Sequence, residues 1–244
     1  MSGHSKWSSI KHQKGVADQR RSNLFTKIAN TISVAARSGG DRAMNFQLRL
    51  AIDKAKAANM PKDRIERAIK RGTGELGGAQ IEENLYEVYG PSGTAILVEV
   101  ITDNKNRASA EIKAALNRFG GKLSGSGAVA YLFARKGEIR IKNQELRIKN
   151  NENTEEKTEE EIINSGAEDY HKIDDGFLIY CVPAELSNVK NNLQNANLKI
   201  ESAELVWHPK TTIDLSDDES QKVLKLLEVL DGLDDVSSVS SNLG

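Results

Sequence analysis

The sequence predicts an α+β protein in which a basic bundle of three helices precedes two small α/β units. Charge is the first sign of this division: residues 1–74 hold 16 Lys and Arg against 5 Asp and Glu, a net +11, while residues 75–244 hold 18 against 30, a net −12. Periodicity is the second, because apolar residues spaced three and four apart give way to runs of strand composition. The third is the glycine-rich string Gly72-Thr-Gly-Glu-Leu-Gly77 at the changeover, which reads as a flexible linker and domain boundary.

The first 22 residues are polar and basic, with Trp7 and Ile10 as the large hydrophobes before Val16, and are expected to form an arm unable to fold alone. Leu24, Phe25, Ile28, Ile32, Ala35 and Ala36 share one face of a first helix, which Ser38-Gly39-Gly40 stops. A second helix turns Met44, Leu48, Ala51, Ile52, Ala55 and Ala58 inward. Pro61 suits the first turn of a third, where a missing N–H is harmless. That helix buries Ile65, Ala68 and Ile69 and leaves Lys62, Arg64, Arg67, Lys70 and Arg71 to solvent.

Beyond the linker, Leu85 to Tyr89 and Thr94 to Thr102 read as strands about the turn Gly90-Pro91-Ser92-Gly93. A helix follows from about Arg107 to Phe119, then a glycine-serine bend, Ser124 to Gly127, and a strand from Ala128 to Phe133. Glu138 to Lys142 is another strand, and the asparagine-rich stretch 143–157 a solvated loop before a helix at about 159–165. Strands at about 168–173 and 177–182 precede a helix burying Leu186, Val189 and Leu193, and Leu198 to Trp207 closes that unit. After it come a strand from Thr211 to Leu215, a helix opened by the capping box Ser216/Glu219, and a short strand at 236–239.

The motifs exclude most chemistry. Gly72 to Gly77 spells G-x-G-x-x-G, but it follows a helix and precedes a strand, the reverse of a dinucleotide fingerprint. The bend at 124–127 leads into a strand, so it lacks the helix that a phosphate cradle needs. His4, His12, His171 and His208 lack the spacing of a zinc pair, and Asp231-Gly-Leu-Asp-Asp235 lacks the ligand order of a calcium loop. No nucleophile elbow, P-loop or kinase signature occurs. No cofactor, metal, catalytic residue or small-molecule substrate is therefore expected. An enzyme working in a junction between domains would need a carboxylate or histidine of shifted pKa there, and the sequence offers no candidate.

The single cysteine, Cys181, lies in an apolar run and excludes an internal disulfide, and no stretch is apolar enough to span a bilayer. With no secretory signal core at the N-terminus, the expected location is the cytoplasm.

Basic charge concentrated in one segment points to a polyanionic partner, nucleic acid. Lys6, Lys11, Lys14, Arg20, Arg21 and Lys27 can neutralise phosphates, and Trp7 and His12, with His4, offer planar groups to stack or enter a groove. Trp7 can equally anchor the arm on the bundle, and the two histidines can be ordinary surface residues. Arg37, Arg49, Lys62, Arg67, Lys70 and Arg71 complete the expected surface. Charge reports phosphates and does not distinguish DNA from RNA.

Several strings resemble a known family. Gly3-His-Ser-Lys-Trp7, Ile10-Lys-His12, Lys14-Gly15, Phe25-Thr-Lys27, Leu48-Arg-Leu-Ala51, Ala55-Lys-Ala-Ala-Asn-Met-Pro-Lys62, Ile65-Glu-Arg-Ala-Ile69 and Tyr89-Gly-Pro-Ser-Gly93 are similar to the YebC/PmpR family. The likeness runs along nearly the whole chain and is weaker from about 138 to 207. Local departures are the unusually polar 143–157 and the absence of an aromatic at Val239-Ser-Ser-Asn242.

The resemblance implies a helical domain (1–76) and two ferredoxin-like domains, one discontinuous (77–134 with 208–244) and one inserted (135–207). It implies a DNA-binding transcriptional regulator. The alternative that it also carries is a translation factor, on ribosomes and ribosomal RNA, that aids elongation through proline-rich sequences.

Overall fold

The computed structural model describes residues 6–7, 18–77, 81–142 and 152–244, with residues 18–21 and 152–155 as backbone only. It divides into two compact units, residues 1–134 with 208–244 and residues 135–207. The helical segment therefore belongs to the same unit as the discontinuous α/β part.

Three helices open the first unit: α1 (Asp18–Ala36), α2 (Phe46–Ala57) and α3 (Lys62–Gly72). Helix α1 begins inside the segment expected to be a 22-residue arm. Ile28, Ile32, Leu48, Ile52, Ala55, Met60 and Ile65 form the core between these helices. Asn45 caps α2, accepting from the Leu48 N–H at 3.0 Å, and its amide donates to the Ala35 and Gly39 carbonyls at 2.7 and 2.8 Å. Taking the cap position puts Met44 before the helix, 86% exposed, so Met44 is not the core residue its spacing predicts. Pro61 likewise stands at the N-cap of α3, one residue before the helix. Asn59 joins α2 to α3 with φ 56°, a left-handed conformation that asparagine tolerates better than most residues.

The first sheet has the order β3-β1-β2-β8, from strands β1 (Glu82–Tyr89), β2 (Ala95–Thr102), β3 (Lys122–Leu123) and β8 (Val236–Ser241). Adjacent strands are antiparallel, with Tyr89 opposite Ala95 and Val98 opposite Val239. Helices α4 (Lys105–Phe119) and α7 (Asp217–Asp231) supply Ile112, Leu116, Val223, Leu226, Leu227 and Leu230 to the core it shares with Val88, Ile96, Val98 and Val100. The predicted capping box at Ser216 and Glu219 is present at the start of α7.

The second unit runs β4 (Phe133–Lys142), α5 (Glu152–Asn164), β5 (Asp169–Ile173), β6 (Gly176–Cys181), α6 (Leu186–Asn195) and β7 (Ile200–Pro209), in the sheet order β5-β6-β4-β7. That is the ferredoxin-like β-α-β-β-α-β arrangement. Arg140 is 2% exposed in it and pairs with Asp175 at 2.6 Å and Glu201 at 2.7 Å, so its charge is used internally. The first sheet has the same spatial plan with a different chain path. There β2-α4-β3 straddles β1, which comes first in the chain where a ferredoxin-like unit has that strand third.

Two expected strands are absent. Residues 128–132 form a loop and a short 3-10 turn (Ala130–Leu132), because the Glu87 carboxylate takes the N–H groups of Gly127, Val129 and Ala130 that a ladder would need. The stretch 211–215 makes only an isolated bridge, Ile213 to Leu243.

Trp7 is the least expected core residue. It is 5% exposed, packs with the α4/α7 core, and donates its indole N–H to the Val239 carbonyl at 3.0 Å. Beside it the Lys6 N–H donates to the Leu243 carbonyl at 2.9 Å. These bonds fasten the N-terminal segment to the end of the chain, across the free edge of β8. Replacing Trp7 by alanine should cost about 3–5 kcal/mol of stability through the void it leaves. W7F, which loses the indole hydrogen bond and part of the ring volume, should cost less than W7A, about 1–3 kcal/mol. Urea denaturation followed by circular dichroism reads both, and an unchanged midpoint in W7A would contradict the packing described.

Candidate nucleic-acid interface

Helix α3 buries Ile65 and Ala68 and exposes Lys62, Arg64, Arg67, Lys70 and Arg71, as its spacing predicts. Arg64, Arg67 and Arg71 fall at i, i+3 and i+7, which puts them on one flank of the helix. The flank faces α1: the Arg64 guanidinium lies 5.7 Å from the Phe25 ring centroid, and Arg71 donates to Asn30 Oδ1 at 3.4 Å. Lys62 and Lys70 lie on the other flank with Glu66, which sits 3.6 Å from the Lys62 ammonium.

Small residues set this arrangement. A Cβ on Gly72 would stand 2.2 Å from the Ser33 carbonyl oxygen and 2.7 Å from the Ala36 Cβ. Ser33 also donates to the Ala68 carbonyl at 2.8 Å. The backbones of α1 and α3 thus meet at van der Waals contact, which only glycine at 72 allows. Gly72, expected as the first residue of a flexible linker, is instead a packing residue that fixes where the arginines point.

The other expected residues divide by role. Lys27 is half-buried, and its ammonium donates to the Asp231 carbonyl at the end of α7. Burial lowers its pKa, with Asp231 and Asp234 opposing, and its ammonium ties α1 to the sheet domain. Arg37 donates to the Ile81 carbonyl, and Arg49 to the Arg42 and Ala43 carbonyls at 2.7 and 2.9 Å. Both therefore fasten turns, although Arg37 stays exposed. Trp7 is buried and its ring faces are covered by the core, so it is an anchor and not a stacking group, and it anchors the sheet rather than the helical bundle. Lys6 remains exposed beside it. Lys11, His12 and Lys14 lie outside the described residues, as do the side chains of Arg20 and Arg21. Arg64 was legible as exposed, and its i, i+3, i+7 relation to Arg67 and Arg71 was the signal that it belongs with them.

No cluster of three or more His, Cys, Asp or Glu able to hold a metal occurs among the described residues. Nor is any helix among them long and apolar enough to cross a membrane. Burial pushes the Cys181 thiol up to about 11, the state of an inert buried thiol. His171 is lowered by burial against the opposing pull of Asp169.

Substituting alanine at Gly72 should push α3 off α1 and cost about 1–3 kcal/mol in a denaturant titration. Full stability in G72A would contradict the close contact. Because the unfolded chain holds the Lys27 proton more tightly than the folded one, stability should rise with pH from the lowered Lys27 pKa toward 10.5. That rise should be missing in K27M when both proteins are titrated side by side.

The N-terminal part matches the family model described as the TACO1/YebC protein N-terminal domain over residues 5–75. Residues 81–243 match the model described as the TACO1/YebC second and third domain. A relative from Treponema denticola, named a probable transcriptional regulatory protein, is 47% identical over 100% of this chain and 96% of its own length. One from Petrotoga mobilis with the same name is 46% identical over 93% of this chain and 88% of its own. The crystal structure of a conserved hypothetical protein from Aquifex aeolicus is 43% identical and superposes with a TM-score of 0.89, covering 98% of this chain and 97% of the other. With both parts of the chain matched, the protein belongs to the TACO1/YebC family.

Proposed function

We propose that this protein is a regulatory protein, not an enzyme, that binds duplex DNA through the exposed basic surface of α3 and acts on transcription. The observation that carries the reading is the flank of Arg64, Arg67 and Arg71, set against α1 by the Gly72 contact, with Lys62 and Lys70 on the same helix. Arg64 and Arg71, already held against α1, meet a phosphate backbone with little further loss of side-chain freedom, and Arg67 shares their flank. The concentration of +11 in residues 1–74 supplies the long-range attraction. The relatives' shared name, probable transcriptional regulatory protein, supports transcription as the setting.

Phosphate contacts of this kind release counterions. Log affinity for a labelled duplex of about two helical turns should fall with log salt at a slope of about −3 or steeper. Changing Arg64, Arg67 and Arg71 together to glutamine should weaken binding and flatten the slope by about 3, roughly one per lost phosphate contact. K27M should leave affinity nearly unchanged, since that ammonium is already committed to Asp231. A triple variant that binds as the parent does would overturn the reading. So would a protein that ignores duplex DNA and instead co-sediments with ribosomal particles.

A further inference from the structure

We propose that the loop 124–131, held in shape by Glu87, is a second binding site that takes single-stranded nucleic acid by stacking bases on tyrosine. Glu87 is 5% exposed on β1, and one residue makes five hydrogen bonds to the loop. Its carboxylate accepts from the N–H groups of Gly127, Val129 and Ala130 at 2.5, 2.7 and 2.8 Å. Its backbone carbonyl accepts from the Ser124 N–H at 2.8 Å and the Ser124 hydroxyl at 2.9 Å. Burial pushes this carboxyl up, but the N–H groups of Val129, Gly127, Ala130 and Ala128 outweigh it, and its pKa lies below the ordinary carboxylate value. Enclosing a charge is costly unless each oxygen is bonded, and here the bonding specifies one loop conformation.

What the latched loop presents has the chemistry of a stacking site. Tyr89 and Tyr131, at 47% and 65% exposure, are the two aromatics among the large hydrophobics exposed in the described residues. Both belong to this region: the Tyr89 hydroxyl donates to the Ala128 carbonyl at 3.2 Å, and Tyr131 lies in the 3-10 turn whose first N–H, that of Ala130, Glu87 holds. Two exposed lysines accompany them. Lys122 stands opposite Tyr89 in the β1–β3 ladder, and the Lys210 ammonium donates to the Tyr131 carbonyl at 2.9 Å. Within the loop, Gly125 and Gly127 have nothing within 4 Å of where a Cβ would be, leaving bare backbone open to a ligand. Aromatic faces beside cations and open backbone fit unpaired bases and their phosphates, whereas a paired duplex offers no base face to stack upon.

The inference goes beyond the α3 surface and does not depend on it, because the two sites take different probes. The test uses the full chain with a short labelled single strand of mixed sequence and, in parallel, the labelled duplex. Y131A should weaken single-strand binding by at least about fivefold, with duplex affinity unchanged. Y131F, which keeps the ring, should bind like the parent. E87Q keeps both tyrosines but loses the bonds to one carboxylate oxygen. It should lower single-strand affinity and speed amide exchange at residues 127–130. Single-strand binding that is equal in Y131A and the parent overturns the proposal. An equal loss on both probes overturns it too, as does a loss in Y131F matching that in Y131A. A parent protein that does not bind the single strand at all overturns it and leaves the tyrosine pair to a protein partner.

Discussion

Helix α1 is held from two directions, one contact aiming the basic surface and the other joining it to the sheet domain. On one side the Ser33 carbonyl meets the backbone of Gly72, so α3 approaches as closely as two helices can. On the other, α1 lies against β2 and β8, and Lys27 reaches the carbonyl at the end of α7. The first contact sets the direction of the α3 arginines. The second makes the helical segment one unit with the sheet domain. A core rich in alanine, with Ala35, Ala36, Ala51, Ala55 and Ala68 buried, gains little from apolar burial alone. Stability of the bundle therefore rests substantially on the sheet it leans upon, and Trp7 extends the same dependence to the start of the chain.

Charge in this molecule is divided into fixed and available groups. Arg140, Arg107 and Lys27 are engaged by carboxylates or a carbonyl within the fold, Arg107 through both oxygens of Asp235 at 2.8 and 3.0 Å. The α3 side chains keep their guanidinium and ammonium groups at the surface, where water and ions screen them until a partner displaces those ions. A count of +11 treats all of these alike. Only the contacts separate a lysine that braces a helix from one that can meet a phosphate.

Strong local periodicity made most elements legible. Helices α3, α4, α6 and α7 and strands β1, β2, β5 and β6 lie within a few residues of where spacing and caps put them. Three of the failures share a physical cause: the deciding partner is distant in sequence. Residues 128–132 have strand composition, but Glu87, some 40 positions earlier, claims their N–H groups. Trp7 could stack or anchor on local evidence, and its partner Val239 is 232 positions away. Lys27 looks like any helical lysine until Asp231 is beside it. Within the candidate interface, the exposed flank of α3 was readable because helical spacing is local, whereas the reason for Gly72 was not, since it lies in the backbone of another helix.

Amide hydrogen exchange of the full chain, with and without a DNA duplex, tests the central claim most directly, since it reports every segment at once. The account predicts slower exchange on binding in α3 and the facing turns of α1, with residues 135–207 unchanged. Protection confined to residues 135–207, with α3 exchanging as in the free protein, would contradict it.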